Sequence, residues 1–100
     1  MTGRFVQRTP VVEGTLFPKG YQQITSLSAA AGLTVPSGAR VAVIQAETQA
    51  VRWRDDGTDP TASVGQVLAA GADMVYTGDL SAIKFIEATA SAKLNVSYYE

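Results

Sequence analysis

From Tyr21 onward the hydrophobic pattern of the chain has a dominant period of two. Residues Lys93-Leu94-Asn95-Val96-Ser97-Tyr98-Tyr99 alternate cleanly, with Leu94, Val96 and Tyr98 on one face. Val51-Arg52-Trp53-Arg54-Asp55 repeats the pattern, with Val51 and Trp53 facing one way and both arginines the other. Such alternation marks a strand with one buried and one wet face. Arg40 to Ala46 is more uniformly apolar and predicts a more central strand. Gln66 to Ala69, Asp73 to Tyr76 and Ile83 to Ala88 complete the later set. Tyr21 to Leu27 predicts an earlier strand, and Leu33 to Val35 a short one.

Turn chemistry separates these runs. Pro36-Ser37-Gly38 precedes the Arg40 strand, Asp55 to Pro60 follows the Trp53 strand, and Ala70-Gly71 and Gly78-Asp79 punctuate the rest. Glycine supplies positive φ, proline fixes φ, and aspartate bonds its own backbone. Turns recur about every eight to twelve residues, the spacing of antiparallel sandwiches and barrels. Helix has little support. Its best candidate is Ser26 to Ala31, stopped by Gly32, and it is six residues long. Ala88 to Lys93 is alanine-rich but lies between two strands, and predicts a hairpin loop. The count of seven or eight strands predicts an all-β fold, a small two-sheet β-sandwich or jelly roll over residues 21–100. Residues 1–20 differ. Pro10, Gly14, Pro18 and Gly20 punctuate them around Val11-Val12, which predicts an extended N-terminal arm. Such an arm is disordered, lies along the body, or reaches a neighbouring subunit.

Composition narrows the functional classes. One hundred residues make one domain. Fifteen of the hydrophobic residues are alanine, so the large core-forming side chains are fewer than the 46% hydrophobic content suggests. The formal charge is −1, with 8 basic against 9 acidic residues. That balance argues against nucleic acid as a partner, since phosphate binding needs a clustered positive excess. The chain has no histidine and no cysteine. Ser-His-Asp and Cys-His catalysis, His- or Cys-ligated metals and disulfides are thereby excluded. No apolar stretch approaches the 18 or more residues of a membrane-spanning helix. The start, Met1-Thr2-Gly3-Arg4-Phe5, lacks the apolar core of a signal peptide, so the expectation is a protein made in the cytoplasm, and kept there or released without secretion.

Several constellations invite a chemical reading. Asp55, Asp56 and Asp59 around Gly57 suggest a calcium loop, but the spacing lacks the alternating ligands and distant glutamate of the twelve-residue loop. A solvated turn accounts for these residues. Arg52-Trp53-Arg54 suggests single-stranded nucleic acid or a sugar. On a strand, however, Trp53 joins the core while the arginines face solvent or an acid such as Glu47, Asp73 or Glu87. Arginine is enriched in interfaces, which makes Arg52 and Arg54 interface candidates. Alternation turns one of Tyr98 and Tyr99 outward, as an interface anchor, a sugar platform or a cross-strand packing residue. Glu13, Glu47 and Glu87 are not grouped as a carboxylate pair would have to be. Neither GxGxxG nor GxxxxGK occurs.

An ordered series goes further. It comprises Ile44-Gln45-Ala46-Glu47, Val51-Arg52-Trp53-Arg54-Asp55-Asp56-Gly57-Thr58, Pro60-Thr61-Ala62, Leu68-Ala69-Ala70-Gly71, Tyr76-Thr77-Gly78-Asp79-Leu80-Ser81-Ala82 and Leu94 to Tyr99. From about Tyr21 to Tyr99 the chain resembles a family of small β-rich structural proteins of tailed bacteriophages and prophages. The series is specific as a family signature and weak as a functional one. What the resemblance implies is a virion protein, made in the host cytoplasm, with no catalytic residue and no cofactor or metal. It implies a capsid decoration or cement protein that binds the major capsid protein and forms a dimer or trimer. The alternative is a tail- or fibre-associated module that binds host-surface carbohydrate, with Tyr98 or Tyr99 and the Asp55 to Asp59 turn as its site. Expected interface residues are Arg52, Arg54, Tyr99, Val11 and Val12.

Overall fold

A computed structural model describes residues 14–100. They form eight strands and no helix: β1 Pro18–Ile24, β2 Ala31–Gly32, β3 Val41–Glu47, β4 Val51–Arg54, β5 Gln66–Leu68, β6 Asp73–Tyr76, β7 Lys84–Glu87 and β8 Lys93–Tyr99. Two four-stranded antiparallel sheets result, one in the order β1-β8-β3-β6 and the other β2-β7-β4-β5. The first, third, sixth and eighth strands thus share one sheet and the rest share the other.

A single rule generates this order. β4 pairs with β5, β3 with β6, β2 with β7 and β1 with β8, so each strand finds the partner equally far from the β4–β5 hairpin. The chain is one long antiparallel ribbon, bent back and forth between two layers. The extra pairs β3·β8 and β4·β7 close the layers. This is the two-sheet, eight-stranded jelly roll. Apart from the β4–β5 hairpin, every connection crosses from one sheet to the other. Residues 25–30, 48–50, 69–72 and 88–92 cross at one end, where backbone bonds tie them to neighbouring segments: Glu87 N–H to Leu27 O, Ala88 N–H to Ala50 O, and Gly71 N–H to Ala46 O. The opposite, open end carries residues 33–40, 55–65 and 77–83 and the Phe17–Glu100 pair, whose N–H and C=O groups exchange bonds at 2.9 Å.

The alternation read from the sequence sets the core. Leu94, Val96 and Tyr98 of β8 are buried, as are Ala42, Ile44 and Ala46 of β3, Val51 of β4 and Phe85 of β7. Leu27, Leu80 and Ile83, from connections, fill the ends. Burial of each Val, Leu, Ile or Phe side chain contributes roughly 1.5–3 kcal/mol. Ala42 lies between Tyr98 of β8 and Tyr76 of β6, its register partners on either side. A small side chain there leaves room for two rings, the large–small alternation that close packing requires.

Four local expectations differ. Ser26 to Ala31 is not helical: six residues cannot repay helix nucleation, and Leu27 is instead buried in the core. The short strand falls at Ala31–Gly32, paired with Phe85 and Lys84, and not at Leu33 to Val35. Residues 88–92 do not close a hairpin, because β7 and β8 belong to different sheets. The ordered body starts early: β1 begins at Pro18, inside the segment read as an arm, because Pro18 and Gly20 already pair with β8. Val11 and Val12 lie outside the described residues.

Candidate functional site

The densest polar constellation sits at the open end, where β4 runs out. Val51 and Trp53 point between the sheets, and Trp53 is half-buried against the core cluster. Its ring meets Tyr76 edge-to-face, with centroids 6.1 Å apart and planes at 67°. The Tyr76 hydroxyl donates to Asp55 Oδ2 at 2.6 Å. Burial first, and then that carboxylate, raise the Tyr76 pKa well above the usual phenol range, so the hydroxyl stays a donor. Gly78 is required beside it, because any side chain there would collide with the Tyr76 hydroxyl.

The two arginines lie on the outer face of their sheet. Arg54 grips Asp56 with two bonds, Nε to Oδ1 at 3.0 Å and Nη2 to Oδ2 at 2.6 Å. This fork lowers the Asp56 pKa below the usual carboxylate range. Among the described residues Arg52 has no acidic partner. Its Nε donates to Ala62 O at 3.1 Å and its Nη1 to Gly65 O at 2.9 Å. The later part of the connection, residues 60–65, is thereby tied back against β4. Thr61 and Val64 close a tight turn with reciprocal backbone bonds of 2.9 and 3.2 Å, and Pro60 is buried. Gly65, at φ +143°, lets the loop close: an added Cβ would lie 3.1 Å from Trp53 O and 3.2 Å from both Arg52 Cβ and Pro60 Cβ.

Together these elements frame an open groove of about 530 Å³ lined by Trp53, Arg54, Asp55, Asp56, Val64, Gly65 and Gln66. The three aspartates of the turn do not converge. Asp55 meets Tyr76, Asp56 meets Arg54, and Asp59 sits 3.8 Å from Lys84. Among the described residues no group of three or more carboxylates is placed to hold a metal ion. Glu47, Asp73 and Glu87 are not the partners of the arginines. Glu47 accepts from Asn95 Nδ2 at 2.9 Å, and Glu87 from the Ser91 N–H at 3.2 Å.

The outer face of the other sheet carries a second network. Asn95, in the middle of β8, accepts from the Tyr21 hydroxyl at 2.6 Å and from Gln23 Nε2 at 3.0 Å, and donates to Gln45 and Glu47. Tyr99 is half-buried at the end of that face, while Tyr98 points into the core, where its hydroxyl bonds Gln22 Oε1. Tyr98 is thus closed to a ligand.

The exposed apolar side chains divide between two flanks. Phe17 (64% exposed) and Tyr21 (62%) lie at the β1 edge, and Val64 (51%) and Val67 (56%) at the β5 edge. Since β1 ends one sheet and β5 ends the other at the far side, the pairs stand on opposite sides of the sandwich. The sequence expectations included neither pair. Val67 carries a weak signal, as the outward residue of a three-residue strand, whereas Tyr21 carries none until the register of β1 is known. No helix of the described residues is long and apolar enough to cross a membrane. No family model, curated protein or solved structure matches the chain.

Proposed function

We propose that the protein is a structural component of a tailed-phage virion, a decoration or cement protein that bridges neighbouring subunits of the capsid shell as a dimer or trimer. The observation that carries this reading is the pair of apolar flanks. A small rigid sandwich with one adhesive patch on each side suits a bridge between two neighbours. Covering each exposed Phe, Tyr or Val side chain contributes about 1.5–3 kcal/mol, so each contact is modest and strength comes from copy number. The near-neutral charge suits a protein partner. The motif series from Ile44 to Tyr99 supports the phage assignment. Arg52 and Arg54 stand beside the β5 flank, where their internal bonds shape the surface that a partner meets.

Quantitative mass spectrometry of purified particles tests the proposal. The expected result is a copy number in simple ratio to the major capsid protein, and Tyr21→Ser or Val67→Ser should each lower shell occupancy. Val67→Ser should move stability by no more than about 0.5 kcal/mol, as that side chain faces solvent, whereas Tyr21→Ser also removes the bond to Asn95 and should cost about 0.5–1.5 kcal/mol. Absence from particles would overturn the reading.

A further inference from the structure

The groove at the open end has a chemistry that shell bridging does not use. We infer that it is a binding site for a neutral saccharide, held by Trp53, Asp55, Asp56 and Gln66. The inference stands apart from the decoration reading, since it concerns a concavity and not the flanks.

Size and lining come first. About 530 Å³ falls within the range of small-ligand clefts, which run from about 300 to 1,000 Å³. Its apolar side chains are Trp53 and Val64, too few for a lipid or a large aromatic ligand and enough for the C–H face of one sugar ring. Around it stand planar polar groups with hydrogen-bonding capacity to spare. Asp55 uses Oδ2 on Tyr76 and keeps Oδ1. Asp56 takes one bond from Arg54 on each oxygen and is also approached by the backbone N–H groups of Thr58 and of Asp56 itself, so it has less to offer than Asp55. The exposed Gln66 amide offers both a donor and an acceptor. Hydroxyl groups, each donor and acceptor at once, match such a set.

Charge sets the class. Arg54 is neutralised by Asp56, and Asp55 leaves the groove with one net negative charge. Phosphate, sulfate and uronate ligands are disfavoured there. The polar groups are also fixed before any ligand arrives. Tyr76 holds Asp55, Arg54 holds Asp56, and Arg52 holds the loop backbone at Gly65. A prepaid geometry of this kind lowers the ordering cost of binding.

Trp53 is the sole tryptophan of the chain. Its fluorescence therefore reports on the groove and on the core packing behind it. The test titrates the full chain with glucose, galactose, mannose, N-acetylglucosamine, glucuronate and a short lysine-containing peptide, and follows tryptophan emission and the amide resonances of Gly65 and Gln66. The expected result is a saturable response to at least one neutral sugar. It should weaken about tenfold in Gln66→Ala and in Asp56→Asn, the loss of about one hydrogen bond. Tyr21→Ser, on the opposite flank, should bind as the parent does. Silence towards every neutral sugar would overturn the proposal, as would binding untouched by Gln66→Ala and Asp56→Asn. A response only to glucuronate or only to the peptide would overturn the assignment of ligand class. Shell occupancy is measured on particles and sugar binding on the isolated chain, so either reading can fail without the other.

Discussion

At the scale of single residues, β1 shows what periodicity conceals. Its inward positions are Gly20, Gln22 and Ile24, and its aromatic residue, Tyr21, faces water. Alternation alone does not settle the face, because each side of the strand carries a single large apolar or aromatic residue, Ile24 on one and Tyr21 on the other. Gly20 is inward because Pro36 approaches to 3.2 Å of where a Cβ would stand, and Gln22 because the Tyr98 hydroxyl and the Thr34 N–H both need its amide oxygen. Only the partners reveal these needs, and they lie far off in the sequence. Leu94, Val96 and Tyr98 were legible because all three apolar positions of β8 face the core. Burial pushes the Tyr98 hydroxyl up to about 12. The folded chain therefore holds that proton more tightly than the unfolded one, whose phenol titrates near ~10. The resulting stability is complete below ~10 and is lost as pH rises through about 12. Urea midpoints should fall over that interval, and Tyr98→Phe should flatten the fall. Thr48 offers a test of backbone strain. It is β-branched, exposed, at φ +77°, and centred in a three-residue turn closed by Gln49 N–H to Glu47 O at 2.9 Å. Relief of such strain, about 1–3 kcal/mol, exceeds the glycine entropy cost of about 0.5–1 kcal/mol. Thr48→Gly should raise the unfolding free energy by about 1 kcal/mol, measurable by denaturant titration.

Among the elements, strand positions were legible and strand partners were not. Six of the eight strands fall within a residue or two of the runs read from alternation and turn residues. Nothing local says that residues 88–92 cross between sheets while 55–65 return to the same one. That choice belongs to the ribbon as a whole. The 55–65 connection also shows why the candidate site was only partly legible. Its aspartates announce a turn, but their separate partners, Tyr76, Arg54 and Lys84, are set by register. The backbone oxygens that Arg52 uses carry no sequence signal at all. Arg52→Met keeps much of the apolar stem and removes both bonds to the loop. The expected cost is about 1–3 kcal/mol, for two bonds from a charged donor. Hydrogen exchange should quicken between Thr61 and Gln66 while β3 and β8 stay protected. Uniform loss of protection would mean that Arg52 supports the fold and not the loop.

The whole molecule follows from the pairing rule, in which the first strand waits for the last. β1 cannot be completed until β8 arrives, and its Pro18 pairs with Tyr99. The same rule sets Phe17 beside Glu100, joined by two backbone bonds. In a paired ladder such residues stand only about 5 Å apart, a gap that a few glycines can span. With residues 1–16 left out, a peptide link there would turn residues 17–100 into a closed loop, and a loop can be opened elsewhere. Gly57 is the natural place, being exposed with open space around it. A circular permutant of residues 17–100 beginning at Thr58 and ending at Gly57 should fold to the same jelly roll, as judged by its amide spectrum. Its termini would then emerge beside the β5 flank instead of the β1 flank. The protein could thus display a fused passenger from either side of one unchanged scaffold.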